Sequence, residues 1–353
     1  MGIFSSNKNF VGVDIGTSGV KIVELLKSGN SVMLSNYGFS EKKIEKIDIG
    51  AKLDVDNIAR SISEVLKKSK IQSRNVVGAL PTFAVFSSVL SLKSAPEKSL
   101  DSAVRWEAKK IIPLPLDEMV LDWRKIEDPG VVGNEEKQGD DMIKVLITGA
   151  PKNLVTNYIN IFKKAQLNLL SLETETFSLV RALVGNDKSP FLIVEVGANT
   201  TDISMIINSI PMHSRSIDIG GLLISRAVAG SLKVDIGRAE QFKCDLGLSS
   251  LDLAEETVPK TIKETLSPIV NEIKYALNLF KNSNDVEVEK IILSGGSSML
   301  INFSTLLSKE LDKKVVVGDP WARVIYPNDL RETLDQIGPK MAVAVGLAMR
   351  DVA

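Results

Sequence analysis

Residues 10–19 read FVGVDIGTSG, an apolar run that ends in an acid and continues into a turn rich in glycine and hydroxyl residues. The run has the length and residue types of a buried strand, and the residues that follow Asp14 are those that reverse a chain. A second apolar run, residues 20–26, comes directly after the turn, and residues 32–39 read as a third strand. The segment therefore predicts a hairpin of buried strands.

The same pattern returns after residue 190. Residues 191–196 read as an apolar strand, 197–201 as a polar turn and 202–207 as a returning strand. In both hairpins an acid, any residue and then glycine mark the turn, as DIGT at 14–17 and EVGA at 195–198. Because long internal repeats normally indicate a duplicated fold, we expect two related α/β domains.

An acid at the end of a strand, followed by a turn with glycine and a hydroxyl group, suits a phosphate site. Glycine lets the backbone approach the anion, N–H groups of the turn point at its oxygens, and Thr or Ser adds a donor. The acid would repel phosphate directly, so it would act through Mg²⁺ and its bound waters. Either turn alone is weak support, since ordinary hairpins use the same residues.

A third glycine element, IILSGGSSM, occupies residues 291–299 after a β-branched strand. Gly295, Gly296 and Ser297 let a flat or anionic group press against the backbone where a helix begins. Such turns also occur for packing reasons, so the element is ambiguous by itself. The two commonest nucleotide motifs, GxxxxGK[ST] and GxGxxG, are absent from the sequence.

Residues 76–166 differ from their surroundings and predict a small inserted domain. Strands are predicted at 76–80, 85–92, 119–126 and 142–150, helices after Pro96 and from Pro151, and a polar loop at 127–141. Elsewhere, helices are predicted after a cap at Asp56, at 220–232, 236–246 and 259–282, and from about Pro339.

Composition limits the function. The 353 residues suffice for two to four domains, and 44% hydrophobic with 25% charged residues is typical of globular proteins. The net charge of −1 argues against a surface that coats nucleic acid. Cys244 is the single cysteine, and no apolar run approaches the roughly 20 residues that span a bilayer. We expect a cytoplasmic protein without nucleic-acid partners or direct membrane insertion.

Together, the two hairpins and the Gly-Gly element resemble the actin/hexokinase/DnaK-type ATPase superfamily. The resemblance implies an α/β, actin-like fold in which two duplicated domains flank a cleft for ATP and Mg²⁺. It implies catalytic roles for Glu175 and Glu195, and water-mediated Mg²⁺ binding by Asp14 and Glu195. The residues implied to bind the cofactor are Asp14, Gly16, Thr17, Ser18, Lys21, Gly197, Ala198, Asn199, Thr200, Glu240, Lys243, Gly295, Gly296 and Ser297.

Within the superfamily, the sequence resembles the PilM family of type IV pilus assembly proteins, which is related to the division protein FtsA. The resemblance covers essentially the whole chain and rests on GVDIGT at 12–17, WEA at 106–108 with IPL at 112–114, and GLAMR at 346–350. FtsA-like proteins carry a C-terminal amphipathic membrane helix, whereas this sequence stops at Ala353, which favours the PilM group. The implied subdomains are 1A at 1–75, 167–190 and 339–353, an FtsA-like inserted 1C at 76–166, 2A at 191–222 and 286–338, and 2B at 223–285.

The resemblance implies binding of the cytoplasmic N-terminal segment of PilN in a groove between 1A and 1C. It places the protein in the cytoplasm, peripheral to the inner membrane through that partner, and leaves other pilus components and self-association open. Glu195 stands where the superfamily usually has Asp, and catalytic geometry is sensitive to about an ångström, so ATP hydrolysis is expected to be slow at most. The alternatives are a filament-forming ATPase like FtsA or MreB and, with less support, a small-molecule kinase.

Overall fold

The computed structural model describes residues 9–29, 31–41, 53–94, 96–126, 142–249, 257–284 and 286–351, and the loop predicted at 127–141 lies outside them. Its strands are β1 Asn9–Gly16, β2 Gly19–Ser28, β3 Ser31–Phe39, β4 Asn75–Leu80, β5 Phe86–Lys93, β6 Met119–Ile126, β7 Met142–Pro151, β8 Asn168–Thr174, β9 Phe191–Val196, β10 Thr201–Ile207, β11 Ile210–Ile217, β12 Lys290–Ser294 and β13 Lys314–Val317. Its helices are α1 Val55–Lys68, α2 Glu97–Ile111, α3 Lys152–Lys164, α4 Glu175–Leu183, α5 Gly221–Leu232, α6 Ile236–Leu246, α7 Thr257–Asn284, α8 Phe303–Leu311 and α9 Arg331–Ala348.

Two five-stranded sheets share one topology. In the first sheet, an antiparallel β1–β2–β3 meander is extended by β4 parallel to β1 and β8 parallel to β4, in the order β3-β2-β1-β4-β8. The second sheet repeats this arrangement as β11-β10-β9-β12-β13. We call the first sheet with α1 and α3 the first unit, and the second sheet with α5–α8 the second unit. The predicted duplicated α/β fold is confirmed.

Helix α1 shows how local sequence builds the first unit. Its buried face carries the predicted Ile58, Ile62 and Val65, which pack on the apolar strands β1, β2 and β4. The predicted cap at Asp56 is wrong by two residues, because the helix begins after Asp54, whose side chain accepts the Asn57 N–H at 3.0 Å. An acid two residues earlier has the same capping chemistry, so sequence alone did not separate them.

Helices α4 and α9 lie between the two sheets. Apolar residues of both helices pack with β4 of the first unit and with β9 and β12 of the second in one cluster. Gly346 lets the helices approach closely, since a Cβ there would sit 1.9 Å from the Ser178 carbonyl oxygen. Gly12 of β1 makes room for α9 in the same way, 2.2 Å from the Ala344 carbonyl oxygen. The units are therefore joined through a tightly packed helix pair.

The predicted insertion at 76–166 is wider than the separate domain that the structure contains. A three-stranded sheet, β5-β7-β6, packs with α2 around its own core, and we call residues 86–151 the small unit. By contrast, β4 lies inside the first sheet, and α3 buries Tyr158, Ile161 and Phe162 in the core of the first unit. Periodicity identifies a strand or a helix, but not the sheet that it joins.

The closing helix also differs from its prediction. Helix α9 begins at Arg331 and runs through Pro339, where the prediction placed its start. The segment before it belongs to the first unit, because the Ile325 N–H donates to the Val32 carbonyl at 2.8 Å and the Leu34 N–H donates to the Ile325 carbonyl at 2.9 Å. The subdomain boundary predicted at residue 338 therefore falls inside helix α9. The prediction placed the helix start at Pro339 because proline is favoured in the first turn of a helix.

Candidate functional site

The first hairpin ends in a neutralised acid. Strands β1 and β2 are in register so that Asp14 faces Lys21, whose Nζ donates to Asp14 Oδ2 at 3.0 Å. Both side chains are largely buried, with 6% and 13% of their surface exposed. Burial alone would lower the pKa of Lys21, but Asp14, with smaller contributions from Glu195 and Glu175, raises it. Lys21 therefore stays charged and compensates Asp14.

The second hairpin has the same register but opposite chemistry. Glu195 on β9 faces Asp202 on β10, at the positions that Asp14 and Lys21 hold in the first hairpin. Thr200 Oγ1 donates to Asp202 Oδ2 at 3.3 Å. Glu195 Oε2 and Asp202 Oδ1 are buried, and neither has a hydrogen-bond partner in the part of the chain that the structure describes. Two facing acids with unsatisfied oxygens form a candidate cation site.

Glu175 completes a group of three acids. Strand β8 ends at Thr174, so Glu175 begins α4 at the edge of the first sheet. One carboxylate oxygen each from Glu175, Glu195 and Asp202 lies within 4.8 Å of the others. The Thr82 N–H, in the short 3₁₀ turn after β4, donates to Glu175 Oε2 at 2.8 Å.

The acids disfavour ionisation in one another. Burial, helped by Asp202 and Asp14, raises the pKa of Glu195 to about 8. Burial raises the pKa of Asp202 to about 6, and the pKa of Glu175 rises well above its ordinary value through burial and the charges of Glu195 and Asp14. At neutral pH the group therefore retains a proton, which a bound cation would displace.

A buried chain of hydroxyl groups leads from Glu175 into the second unit. Thr82 Oγ1 donates to Glu175 Oε2 at 3.3 Å and lies 3.3 Å from Thr176 Oγ1. Thr176 Oγ1 is 3.3 Å from Ser204 Oγ of β10, which is 3.0 Å from Ser214 Oγ of β11. These contacts join the turn that precedes the small unit, α4 and the second sheet.

The first residues of α5 hold the second turn. The N–H groups of Gly221 and Leu222 donate to the carbonyls of Gly197 and Ala198 at 2.9 and 2.8 Å. The Gly197 N–H donates to the Thr200 carbonyl at 2.9 Å and so closes the turn. The sequence predicted instead that N–H groups of this turn point towards a phosphate. Asn199 and Thr200 are half-buried at its tip.

Helix α6 places Glu240 and Lys243, which the resemblance implied as cofactor-binding residues, beside α5. Lys243 is 4% exposed, and its Nζ donates to the Gly221 carbonyl, Ser225 Oγ and Glu240 Oε2 at 3.2, 3.0 and 2.8 Å. Ser225 Oγ also donates to Glu240. Burial by itself would raise the pKa of Glu240, but the hydrogen bonds from Lys243 and Ser225 lower it below its ordinary value. This cluster forms a charged wall on the second unit.

The two glycines after β12 have different roles. Gly295 has φ +81, and a Cβ there would lie 2.4 Å from the Val196 carbonyl oxygen, so packing and backbone conformation both require glycine. A Cβ on Gly296 would meet nothing nearer than Lys340 Cβ at 4.0 Å. The space beside Gly296 is therefore open, whereas the position of a Cβ on Gly295 is occupied by the backbone of β9. Ser297 is buried against Gly221.

The structure brings together Glu175 and Glu195, the two residues predicted to be catalytic. Asp14, which was predicted to bind Mg²⁺ with Glu195, lies outside the group of three acids. In the first turn, Thr17 is half-buried and Ser18 is exposed, while Gly16 lies against Lys21. Sequence reasoning missed Asp202, Thr82 and Ser225. The hairpin repeat contained a signal for Asp202, because it occupies the position of Lys21. No local pattern links Thr82 to Glu175.

A model of the family described as type IV pilus assembly protein PilM matches residues 12–352. The chain belongs to this family. This PilM-family protein is also 22% identical to cell division protein FtsA of Neisseria meningitidis, over 95% of its length and 88% of the relative's. It is 21% identical to FtsA of Streptococcus pneumoniae, over 90% and 69% of the two chains.

Solved structures agree with this assignment. The PilM-family chain superposes on a PilM–PilN type IV pilus biogenesis complex with a TM-score of 0.83 and 27% identity, covering 98% of each chain. EutJ of Carboxydothermus hydrogenoformans gives a TM-score of 0.57 at 17% identity, covering 97% of this chain and 89% of the EutJ chain. MreB5 of Spiroplasma citri bound to ADP gives a TM-score of 0.51 at 13% identity, covering 96% of this chain and 94% of the MreB5 chain. The last two likenesses concern the fold alone, which is actin-like.

Within the described ranges of this PilM-family chain, no helix is both long and apolar enough to cross a bilayer.

Proposed function

We propose that this protein is an ATP-binding adaptor of type IV pilus assembly, in which Mg²⁺–ATP in the cleft controls binding of the N-terminal cytoplasmic segment of PilN. It would act in the cytoplasm and be held at the inner membrane through that partner. The observation that carries the proposal is the convergence of Glu175, Glu195 and Asp202, of which Glu195 and Asp202 each keep a buried oxygen without a hydrogen-bond partner among the described residues.

Magnesium fits this group of acids. Mg²⁺ prefers oxygen ligands, keeps several waters and usually takes one or two protein carboxylates beside the phosphates. Glu195 and Asp202 would hold it, directly or through water, with Glu175 at its side. When bound, the ion would neutralise the acids and the nucleotide phosphates. Asp14, already paired with Lys21, remains a proposed outer contact, with Lys21 available to face the phosphates.

The nucleoside would lie against the second unit. Gly296 leaves open space, and Glu240 and Lys243 form the charged wall beside it. The solved MreB5 relative, which is bound to ADP, has the same fold. Glu175 and Glu195 remain the proposed catalytic residues. Because burial and the neighbouring acids raise the pKa of each, both favour the protonated form, which cannot accept a proton, until a cation enters.

The partner would bind between the first unit and the small unit. A PilM–PilN complex is similar along the whole chain at 27% identity, which supports PilN as the partner. The small unit exposes large apolar side chains that could receive an extended peptide, namely Trp106, Ile111, Leu114 and Val120.

Thr82 offers a physical route between the two sites. It holds Glu175 by its N–H and its hydroxyl, and it begins the segment that leads from β4 into the small unit. A shift of Glu175 towards a bound cation would therefore move or release the base of the small unit. Coupling of this kind must be reciprocal, so the peptide would change nucleotide affinity by the same factor.

Calorimetric titration of ATP, with and without Mg²⁺, and of a PilN N-terminal peptide, with and without Mg²⁺–ATP, tests the proposal. We expect ATP binding that strengthens with magnesium and peptide binding in the micromolar range, about 8 kcal/mol. Gly296→Leu should weaken ATP binding about ten-fold or more. Gly230→Leu is its control, because a Cβ there also meets nothing within 4 Å. ATP binding unaffected by Gly296→Leu, or absent from wild type, would refute the nucleotide site.

Thr82→Val tests the route to the partner, and Thr82→Ser is the matched control that keeps the hydroxyl. Both should bind ATP and peptide separately, but only Thr82→Val should reduce the difference between peptide affinities with and without Mg²⁺–ATP. A peptide affinity indifferent to nucleotide in the wild type would end the coupling proposal and leave the binding proposals standing.

A further inference from the structure

A cavity lies at the edge of the first unit opposite the candidate site. Strands β4 and β8 end near Thr82 and Glu175, so their first residues, Asn75 and Asn168, lie at the other edge of the sheet. Helices α1 and α3 end there side by side. Between them and the starts of the strands is a cavity of about 390 Å³, whose polar walls are Ser63, Lys67, Lys70, Gln72, Arg74 and Gln166.

The charge of this cavity is one-sided. Three of its six polar residues are cations and the other three are neutral hydrogen-bonding groups, with no acid in the lining. Lys164 nearby is paired with Asp56. Lys67, Lys70 and Arg74, however, form no ion pair with any acid in the ranges that the structure describes. In a chain with net charge −1, such a concentration of unpaired cations is a local feature of this edge.

Two residues that line the cavity have left-handed backbone conformations. Lys70 and Gln166 each follow a helix in the left-handed conformation, with φ 57 and 58. At both helix ends, a later N–H closes the turn, Ile71 to the Leu66 carbonyl and Leu167 to the Phe162 carbonyl. Glycine is the favoured residue at such a position, because a Cβ there is strained. At both places this chain has instead a long polar side chain that lines the cavity.

We infer that this cavity binds a phosphate group. Arg74 offers a planar set of N–H donors, Lys67 and Lys70 offer ammonium groups, and the amides and Ser63 complete a donor-rich lining. The chemistry is shared by the headgroup of an anionic phospholipid and by a free phosphate or phosphate ester. The site is separate from the nucleotide cleft, so it does not depend on the function proposed above.

Two assays distinguish the sources of phosphate. Inorganic phosphate is titrated by NMR of the intact protein, and sedimentation is measured with vesicles of phosphatidylglycerol and phosphatidylcholine, against phosphatidylcholine alone. Vesicle binding that falls with added salt would identify the headgroup, and saturable phosphate binding without vesicle binding would identify a soluble ester. Absence of both would overturn the inference.

Matched charge changes locate the binding. Lys67→Gln/Lys70→Gln/Arg74→Gln should weaken it about ten-fold or more. The control Lys260→Gln/Lys263→Gln/Lys309→Gln removes three exposed charges from the second unit and should leave binding unchanged. Equal losses in the two triple variants would show general electrostatic attraction and overturn the inference.

Lys70→Gly separates binding from folding. Glycine relieves the left-handed strain at φ 57, so this variant should unfold at a higher denaturant concentration than the wild type while binding phosphate or vesicles less tightly. Stabilisation without loss of binding would show that Lys70 has no role at the site and contradict the inference.

Discussion

The two hairpins of this protein have one backbone and opposite electrostatics. In the first, Asp14 and Lys21 form an ion pair at 3.0 Å. In the second, the equivalent positions hold Glu195 and Asp202, and each acid keeps a buried oxygen without a partner among the described residues. One hairpin carries its own compensating charge, whereas the other has two facing acids and no base at the equivalent position.

The difference shows how a duplicated fold becomes asymmetric. The first hairpin has a lysine at the register position where the second has an aspartate, and Glu175 adds a third acid beside the second hairpin. The first hairpin retains a positive charge that can face phosphates. The proposed function gives the two halves of the cleft distinct roles, with phosphate contacts on one side and the metal on the other.

Asp202→Lys would give the second hairpin the chemistry of the first and should have the largest effect. The introduced ammonium group can pair with Glu195, so the fold should persist, but the site for Mg²⁺ is lost. We expect the magnesium-dependent gain in ATP affinity to fall about a hundred-fold, measured by calorimetry with and without the ion. Asp202→Asn, which is closer in size, serves as control and should give a smaller loss. Retained magnesium dependence in Asp202→Lys would place the ion elsewhere.

Lys21→Met removes the compensating charge from the first hairpin. Asp14 then becomes a buried acid without its ion pair, and the free energy of unfolding should fall by about 3 kcal/mol, measured by urea denaturation of the metal-free protein. Asp202→Asn in the second hairpin should leave that energy unchanged or raise it, because it removes repulsion between acids. Similar destabilisation by both changes would mean that the hairpins are electrostatically alike.

The smallest effect concerns pH. In metal-free protein, the pKa values of Glu195 and Asp202 are about 8 and about 6, above their ordinary values of 4.5 and 3.8. The folded state therefore binds protons more tightly than the unfolded chain, and its stability falls as pH rises from about 4 to 8. We expect the melting temperature to drop by roughly 5 °C more in the wild type than in Glu195→Gln/Asp202→Asn across this range. Parallel curves for the two proteins would contradict the raised pKa values.

Sequence reasoning succeeded where neighbours along the chain create the feature. Both hairpins, the helices α5, α6 and α7 and the duplication follow from apolar periodicity and from turn residues. It failed for β4 and α3, which were assigned to the insertion although they complete the first unit. Strand and helix patterns carry no information about the sheet edge or core that receives them, so these assignments required the assembled fold.

The same division applies to the site. The sequence by itself determined the two acid–glycine turns, because a tight reversal needs those residue types within a few positions of one another. Only the tertiary structure decided that the Thr82 N–H binds Glu175, that Asp202 joins Glu195, and that Gly295 is required by Val196. These contacts form because parallel strands bring their carboxyl ends to one edge and because α4 and α9 pack against both sheets, which no local pattern encodes.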